Sequence, residues 1–334
     1  FSTLGGTLVS AVAGIALAYA GFGVWALVAQ YLCNDAIDTM ILWITVPWRP
    51  RLAFSWDRLK GLLSYGWKIL ASSLLDTVYN NLRSLLIGKI YSSADLAYYN
   101  QGDKFPNVIV NNINTSIDSV LLPTMSNVQD NHHAVKNMTR RAIMTSIYIM
   151  APLLMGLAFC AEPVVRLVLT DKWLPCVPYL QIFCITYMFW PIHTANLNAI
   201  KAMGRSDLFL KLEIAKKVVG MILLLATMRI SVMAMAYSMI VSSISSQIIN
   251  SYPNWKLLGY SYLEQLRDIL PSILLAIAMG GCVSLVSFLP LGNLATLLLQ
   301  ILLGGTIYLA GSALFKLESF EYLLQTIRGF RKKV

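Results

Sequence analysis

Asp76-Thr-Val-Tyr-Asn-Asn-Leu-Arg83 and, further on, Lys104-Phe-Pro-Asn-Val-Ile-Val-Asn-Asn-Ile-Asn-Thr-Ser-Ile-Asp118 decide how this chain folds. Both lie in a mostly apolar stretch, 62–124, that is long enough for two membrane-crossing helices. Asp76, Tyr79, Asn80 and Arg83 recur at i, i+3, i+4 and i+7, so a helix puts all four on one face. Lys104, Asn107, Asn111, Asn114 and Asp118 recur at alternating steps of three and four, again one face. A charge at the bilayer centre costs at least about 2.5 kcal/mol, so such residues face a bundle interior or a wet cavity. Two neighbouring helices with one polar stripe each read as the walls of a water-filled cleft. The competing reading, hydrogen bonding from helix to helix, explains single asparagines but not two stripes carrying four charged residues.

Composition agrees. Of 334 residues, 57% are hydrophobic and 13% charged, and the mean hydropathy is +0.63, against roughly 25% charged residues in a soluble domain. The class is an all-α, polytopic membrane bundle. Apolar runs long enough to span number about ten: 3–20, 23–46, 66–89, 96–122, 141–160, 176–201, 207–227, 231–251, 267–289 and 292–314. The net charge of +10 is a matter of topology, since no basic patch interleaved with aromatics speaks for nucleic acid. Arg49, Arg51, Arg58, Lys60, Lys68, Lys136, Arg140, Arg141, Lys201, Arg205, Lys211, Lys216, Lys217, Lys256, Arg267 and the tail basics fall on one side. Lys89, Arg166, Lys172 and Arg229 fall on the other. The positive-inside rule therefore places the C-terminus in the cytoplasm of a multi-pass protein.

Phe54–Tyr65, Trp255–Leu266 and Glu318–Lys333 mix aromatic or leucine residues with basic ones and read as helices lying along the membrane surface. Ala161–Leu174 reads as an outer loop with a short helix. The five cysteines form no Cys-x-x-Cys pair and read as small packing residues. The chain opens on Phe1 and enters an apolar run at once, which suggests a piece of a longer protein.

Other constellations are less decisive. His193 and Asn196 stand one turn apart after Pro191, either as ion-coupling residues in a kinked helix or as a satisfied core pair. Asp35 and Asp38 either bind a coupling cation, meet Arg83 or Lys104, or cap the inner end of the second helix. Ser238, Ser242, Ser243, Ser245, Ser246 and Gln247 read as close helix packing. His132 and His133 lack the further ligands a metal site needs, and no phosphate-binding loop, nucleophile elbow or cofactor motif occurs.

The run Leu96-Ala-Tyr-Tyr-Asn-Gln-Gly-Asp-Lys-Phe-Pro106, followed by Val110-Asn-Asn-Ile-Asn-Thr-Ser-Ile-Asp-Ser-Val-Leu-Leu-Pro123 and Ser126, resembles a family signature. It is similar to the polysaccharide transporter, or Wzx-type flippase, branch of the multidrug/oligosaccharidyl-lipid/polysaccharide exporter superfamily, with Leu122 where Phe is common. Phe54-Ser-Trp, Leu63-Ser-Tyr-Gly-Trp67, Leu85-Leu-Ile-Gly-Lys89 and Leu180-Gln-Ile-Phe183 resemble it too. The resemblance implies two six-helix lobes around a central cavity, working by alternating access. On it, 1–46 are the last two helices of the first lobe, 47–65 a cytoplasmic linker, and 66–251 the second lobe. A linker at 252–266, two further helices at 267–314 and a basic amphipathic tail at 315–334 follow.

It further implies a flippase in the bacterial cytoplasmic membrane, not an enzyme. Its cargo would be undecaprenyl-pyrophosphate-linked oligosaccharide, carried from inner to outer leaflet for capsule, exopolysaccharide or O-antigen. A polysaccharide polymerase and chain-length machinery are the implied partners. Arg83 and Lys104 would attract the pyrophosphate, and Asp76, Asn80, Asn107, Asn111 and Asp118 would line the sugar path. An ion-coupled drug or cation exporter of the same superfamily would instead use Asp35, Asp76 and Asp118. A membrane glycan polymerase would need a larger outer loop than 161–175.

Overall fold

The computed structural model describes residues 2–46, 55–290 and 292–331. The described side chains leave out 2–4, 58, 61, 62, 64–66, 68–73, 75, 76, 206, 207, 327 and 329–331. The described residues are all-α, with no strand: α1 (Ser2–Tyr19), α2 (Val24–Thr45), α3 (Trp56–Ile90), α4 (Ser93–Ser126), α5 (His132–Phe159), α6 (Ala161–Leu169), α7 (Val177–Met188), α8 (Trp190–Ala202), α9 (Ser206–Thr227), α10 (Val232–Leu258), α11 (Tyr262–Ser284), α12 (Asn293–Leu314) and α13 (Glu318–Arg331). The ten apolar runs correspond to α1–α5, the α7–α8 pair and α9–α12. Among the described residues, four helical stretches are long and apolar enough to cross a bilayer on length and composition alone: His132–Phe159, Val232–Leu258, Tyr262–Phe288 and Asn293–Leu314. The polar and charged residues on α3, α4 and α9 set those helices apart from this group.

Two surface helices expected from the sequence are not separate. Phe54–Tyr65 is taken up, from Trp56 on, by the 35-residue α3, since no proline or glycine pair interrupts the run into the polar stripe. Trp255–Leu266 divides between the end of α10 and the start of α11. Gly259, at φ 61°, ends α10 in the left-handed conformation that glycine adopts without strain. Ser261 and Glu264 then form a capping box that starts α11, and Ser92 with Asp95 does the same for α4.

The chain divides within α3 into two units, 1–74 and 75–334. In the first, α1 and α2 pack together across Gly6, Ser10 and Gly14, which recur every four residues and are buried. A Cβ on Gly6 would run into the Asp38 carboxylate and one on Gly14 into Gln30. This is the small-residue seam by which membrane helices approach closely.

In the second unit α5 is the central post. Val135, Thr139, Ile143, Ile147, Met150, Leu154 and Ala158 follow helical spacing and are buried. α11, α7, α8 and α4 pack on it, and α12 packs on α11. Cys160, Cys176 and Cys184 are buried and free. At one end of α5, Arg140 forks to two carboxylates. Its Nε and Nη2 reach Asp268 of α11 at 2.9 and 3.0 Å, and its Nη1 and Nη2 reach Glu318 of α13 at 3.0 and 2.9 Å. Tyr260 also donates to Asp268, at 2.8 Å. Burial and that bond push the Tyr260 hydroxyl up from its ordinary pKa. This fork ties three helices, and a lysine cannot reproduce its paired geometry. Arg140→Gln is expected to lower stability by about 1–3 kcal/mol, seen as a lower melting temperature in detergent, with Arg140→Lys recovering only part.

Candidate functional site

A cavity of about 520 Å³ opens inside the 75–334 unit, between α3, α4, α7, α8, α9 and α10. Helical periodicity supplies each wall. α3 contributes Tyr79, Asn80 and Arg83, and α8 contributes Trp190, His193, Thr194, Leu197, Asn198 and Lys201. α9 contributes Glu213, Lys216, Lys217, Gly220 and Leu224, and α10 Met239, Ser242, Ser243 and Ser246. Asp118 of α4 and Thr186 and Tyr187 of α7 complete the lining.

Arg83 is held from across the bundle. Its Nη1 donates to the Met235 carbonyl and to Ser238 Oγ, the latter at 2.9 Å. Tyr79 lies under the Lys217 ammonium, 5.6 Å from the ring centroid, and its hydroxyl donates to the Lys217 carbonyl at 3.3 Å. Lys216 pairs with Glu213 at 2.5 Å, and Lys201 stands over the Phe209 ring at 4.7 Å. Asp118 accepts from Asn198 at 2.6 Å. His193 meets Asn250 at 3.1 Å through Nδ1 and the Trp190 ring edge-on at 6.2 Å. The lining therefore carries Arg83, Lys201, Lys216 and Lys217 against Asp118 and Glu213, beside the rings of Tyr79, Tyr187 and Trp190 and a bank of hydroxyls. Such a surface suits an anionic group next to hydroxyl-rich matter.

Of the residues singled out in the sequence, Tyr79, Asn80, Arg83, Asp118 and His193 line this cavity. Asn114 is buried behind it and accepts from Thr194 at 3.2 Å. Lys104, Asn107 and Asn111 are not on the wall. Lys104 is exposed, Asn107 donates to Asp103 at 3.3 Å, and Asn111 donates to Asn107. A strict 3–4 alternation drifts by about 20° per heptad around a 3.6-residue helix, so one stripe on α4 serves two neighbourhoods. The Asp76 side chain lies outside the described residues. Asp35, exposed, and Asp38, packed at Gly6, belong to the 1–74 unit.

Asn196 is absent from the cavity lining. It is fully buried and sits in a polar knot. Its Nδ2 donates to Gln265 at 2.8 Å and to Ser251 at 3.3 Å, and its Oδ1 accepts from Asn254 at 2.6 Å. The serines of α10 differ from their reading as packing residues. Ser242, Ser243 and Ser246 face the cavity, and Ser238 holds Arg83. From the sequence, Lys216 and Lys217 count only toward the charge of the cytoplasmic side and Glu213 is not singled out, yet all three line the cavity. Their spacing with Gly220 and Leu224, in steps of one, three and four, was the signal that they share a helix face.

A family model described as polysaccharide biosynthesis protein matches residues 1–178. The chain is 25% identical over 264 residues to the lipopolysaccharide biosynthesis protein WzxC of Escherichia coli, covering 75% of this chain and 53% of that protein. It is 27% identical over 165 residues to the teichuronic acid biosynthesis protein TuaB of Bacillus subtilis, covering 48% of this chain and 33% of that protein. The chain thus spans between one third and about half the length of these relatives. Among solved structures it is similar to the lipid II flippase MurJ in an inward closed conformation. The TM-score is 0.73 at 15% identity, over 93% of this chain and 66% of that one, a likeness of fold.

Two measurements separate wall from knot. In a chain freed of its native cysteines, Ser242→Cys and Ser246→Cys should react with a water-soluble thiol reagent, and Ser251→Cys should not. Asn196→Leu leaves Gln265 and Asn254 short of partners and should cost about 1–3 kcal/mol, read as lost folded protein in detergent extracts.

Proposed function

The chain belongs to the family of polysaccharide biosynthesis proteins, and from that premise we propose that it forms part of a flippase. The flippase moves a polyprenyl-pyrophosphate-linked oligosaccharide from the inner to the outer leaflet of a bacterial cytoplasmic membrane, by alternating access, for surface polysaccharide export. The observation that carries this reading is the excess of cationic over anionic side chains in a hydroxyl-rich cavity within a membrane bundle.

The cargo's pyrophosphate cannot cross hydrocarbon unpaired, because each unsatisfied polar group there costs several kcal/mol. Arg83, tied on one edge by α10, presents a planar donor set suited to phosphate oxygens. Lys216, Lys217 and Lys201 add charge beside it. Tyr187 and Trp190 give flat apolar faces for sugar rings, and Asn80, Asn198, Ser242 and Ser246 give donors and acceptors for hydroxyls. In this reading the lipid tail stays in the bilayer, and the C-terminus is cytoplasmic, because the basic residues concentrate on that side. The polymerase and chain-length machinery would take over the cargo at the outer face. The remoter residues Lys104, Asn107 and Asn111 fit an approach to the cavity better than its floor.

The test is complementation of a strain lacking its own polysaccharide flippase by the full-length parent gene, scored as surface glycan at matched protein abundance. Wild type should restore glycan. Arg83→Ala should lose about tenfold or more, the equivalent of one charge-assisted contact, and Lys216→Ala with Lys217→Ala should lose at least as much. Export unchanged by Arg83→Ala would overturn the assignment of the cavity as the cargo path.

A further inference from the structure

Asp103 has no part in the cavity chemistry above, yet its surroundings are specific. It lies on the side of α4 turned to α7, partly buried. Oδ1 accepts from the Tyr187 hydroxyl at 2.5 Å, and Oδ2 accepts from Asn107 Nδ2 at 3.3 Å. Among the described residues it has no ion-pair partner. Next to it, Gly102 brings α4 against the backbone of α7, where a Cβ would strike Tyr179 Cβ and the Leu180 nitrogen. Tyr99, one turn earlier, packs on Tyr179 and Phe183 at centroid distances of 5.9 and 5.2 Å.

The titratable groups facing this place are few. α7 presents Tyr179 and Tyr187, and the turn before it the buried Cys176. α3 presents Arg83, whose charge acts on the same Tyr99 and Tyr187 and which is held by Met235 and Ser238. The titratable groups of α8, His193 and Lys201, are on the cavity. The charged groups of α5 are engaged at its start, Lys136 with Gly259 and Arg140 with Asp268 and Glu318, while Arg141 stands over Tyr322.

A carboxyl so placed has no fixed counter-ion to hold it in one charge state, so its charge follows the water that reaches it. Tyr187 supplies that route, since its side chain borders the cavity and a hydroxyl both donates and accepts. A metal cation would need several oxygen ligands, and the two contacts on this carboxylate are donors. We propose that Asp103 is the proton-binding site of this unit, exchanging its proton with cavity water through Tyr187. Protonation neutralises the carboxylate and weakens the charge-assisted bond from Tyr187 that joins α4 to α7. Release of the proton restores that bond. The proton thereby couples the tightness of the α4–α7 contact to the side from which the cavity is filled. The coupling rests on the flippase reading, and the proton site itself does not.

Infrared difference spectra of the full chain in lipid nanodiscs, between acidic and alkaline pH, read the site directly. A titrating carboxylic C=O band should be present in wild type and absent in Asp103→Asn, with its midpoint displaced in Tyr187→Phe. Tyr187→Phe keeps the carboxyl, so it decides the matter even where Asp103→Asn folds poorly. An Asp103→Asn spectrum identical to wild type, or a Tyr187→Phe midpoint that does not move, overturns the proposal. In complemented cells, collapsing the proton gradient with an ionophore should abolish wild-type export and leave any residual Asp103→Asn export unchanged. Export that follows a sodium gradient, or that stays equally ionophore-sensitive in Asp103→Asn, overturns the coupling. Absence of glycan with every variant would count against the flippase reading alone, because the infrared titration does not depend on cargo.

Discussion

Positive charge cannot stand unpaired in hydrocarbon, and residues 75–334 are arranged around a place where several such charges stand together. Each cation on the cavity has a local hold. Arg83 is tied to α10, Lys216 to Glu213, and Lys217 and Lys201 lie against aromatic rings. These holds keep the side chains on the wall without cancelling the field. Glu213 offsets one lysine, and Asp118 is bound by the neutral Asn198 amide. The formal sum is two positive charges in excess. On the proposed reading the cargo is a pyrophosphate diester with two negative charges, so cargo and cavity would neutralise each other only when the cavity is loaded. That is the electrostatic condition for carrying an anion through a medium where an uncompensated charge of either sign is costly.

The same residue types do a second job a few turns away. Asn196, Ser251, Asn254 and Gln265 are all fully buried and bond to one another across α8, α10 and α11. Nothing in their side-chain chemistry separates them from Asn80 or Ser242 on the wall. What separates them is enclosure: the knot is shut off from the cavity, with only the Asn254 Oδ1 left without a partner among its four side chains. A buried set of amides and hydroxyls so bonded fixes three helices in one arrangement, and losing one member strands the others. A set left open to a cavity is available to a ligand.

The all-α bundle and its long helices were legible in the sequence because apolar length and helical periodicity are strong signals. The α3 stripe was legible for the same reason, with Tyr79, Asn80 and Arg83 on the cavity as their spacing requires. Periodicity ran out where it had to choose among neighbours. It put Asn196 with His193, one turn away, although a side chain three residues on is already rotated enough to leave the cavity. It also gave no weight to Lys216 and Lys217, because a charge-based reading of topology assigns every lysine near a helix end to the loop. The continuity of α3 through Trp56 could not be read either, since an aromatic–basic stretch looks the same lying on a membrane or entering one.

The contacts that close the cavity differ in strength, and the difference says where the wall parts at least cost. α8, α10 and α11 share the polar knot, so parting them would break several buried hydrogen bonds at once. α3 is bound to α10 through a charged guanidinium, and bonds to charged groups are worth about 1.5–3 kcal/mol. Along α4 and α8 the ties are the Asn114–Thr194 bond at 3.2 Å and the Asp118–Asn198 bond at 2.6 Å. The first is a neutral pair, worth about 0.5–1.5 kcal/mol net. The second joins a carboxylate already in reach of cavity water, which can replace the amide. Nearer the other end of α4, the polar link to α7 is the Tyr187–Asp103 bond, beside the close approach at Gly102 and the packing of Tyr99 on Tyr179 and Phe183. In hydrogen bonds alone, separation of α4 from α8 therefore costs least, while the close approach at Gly102 and the packing of Tyr99 on Tyr179 and Phe183 keep α4 on α7.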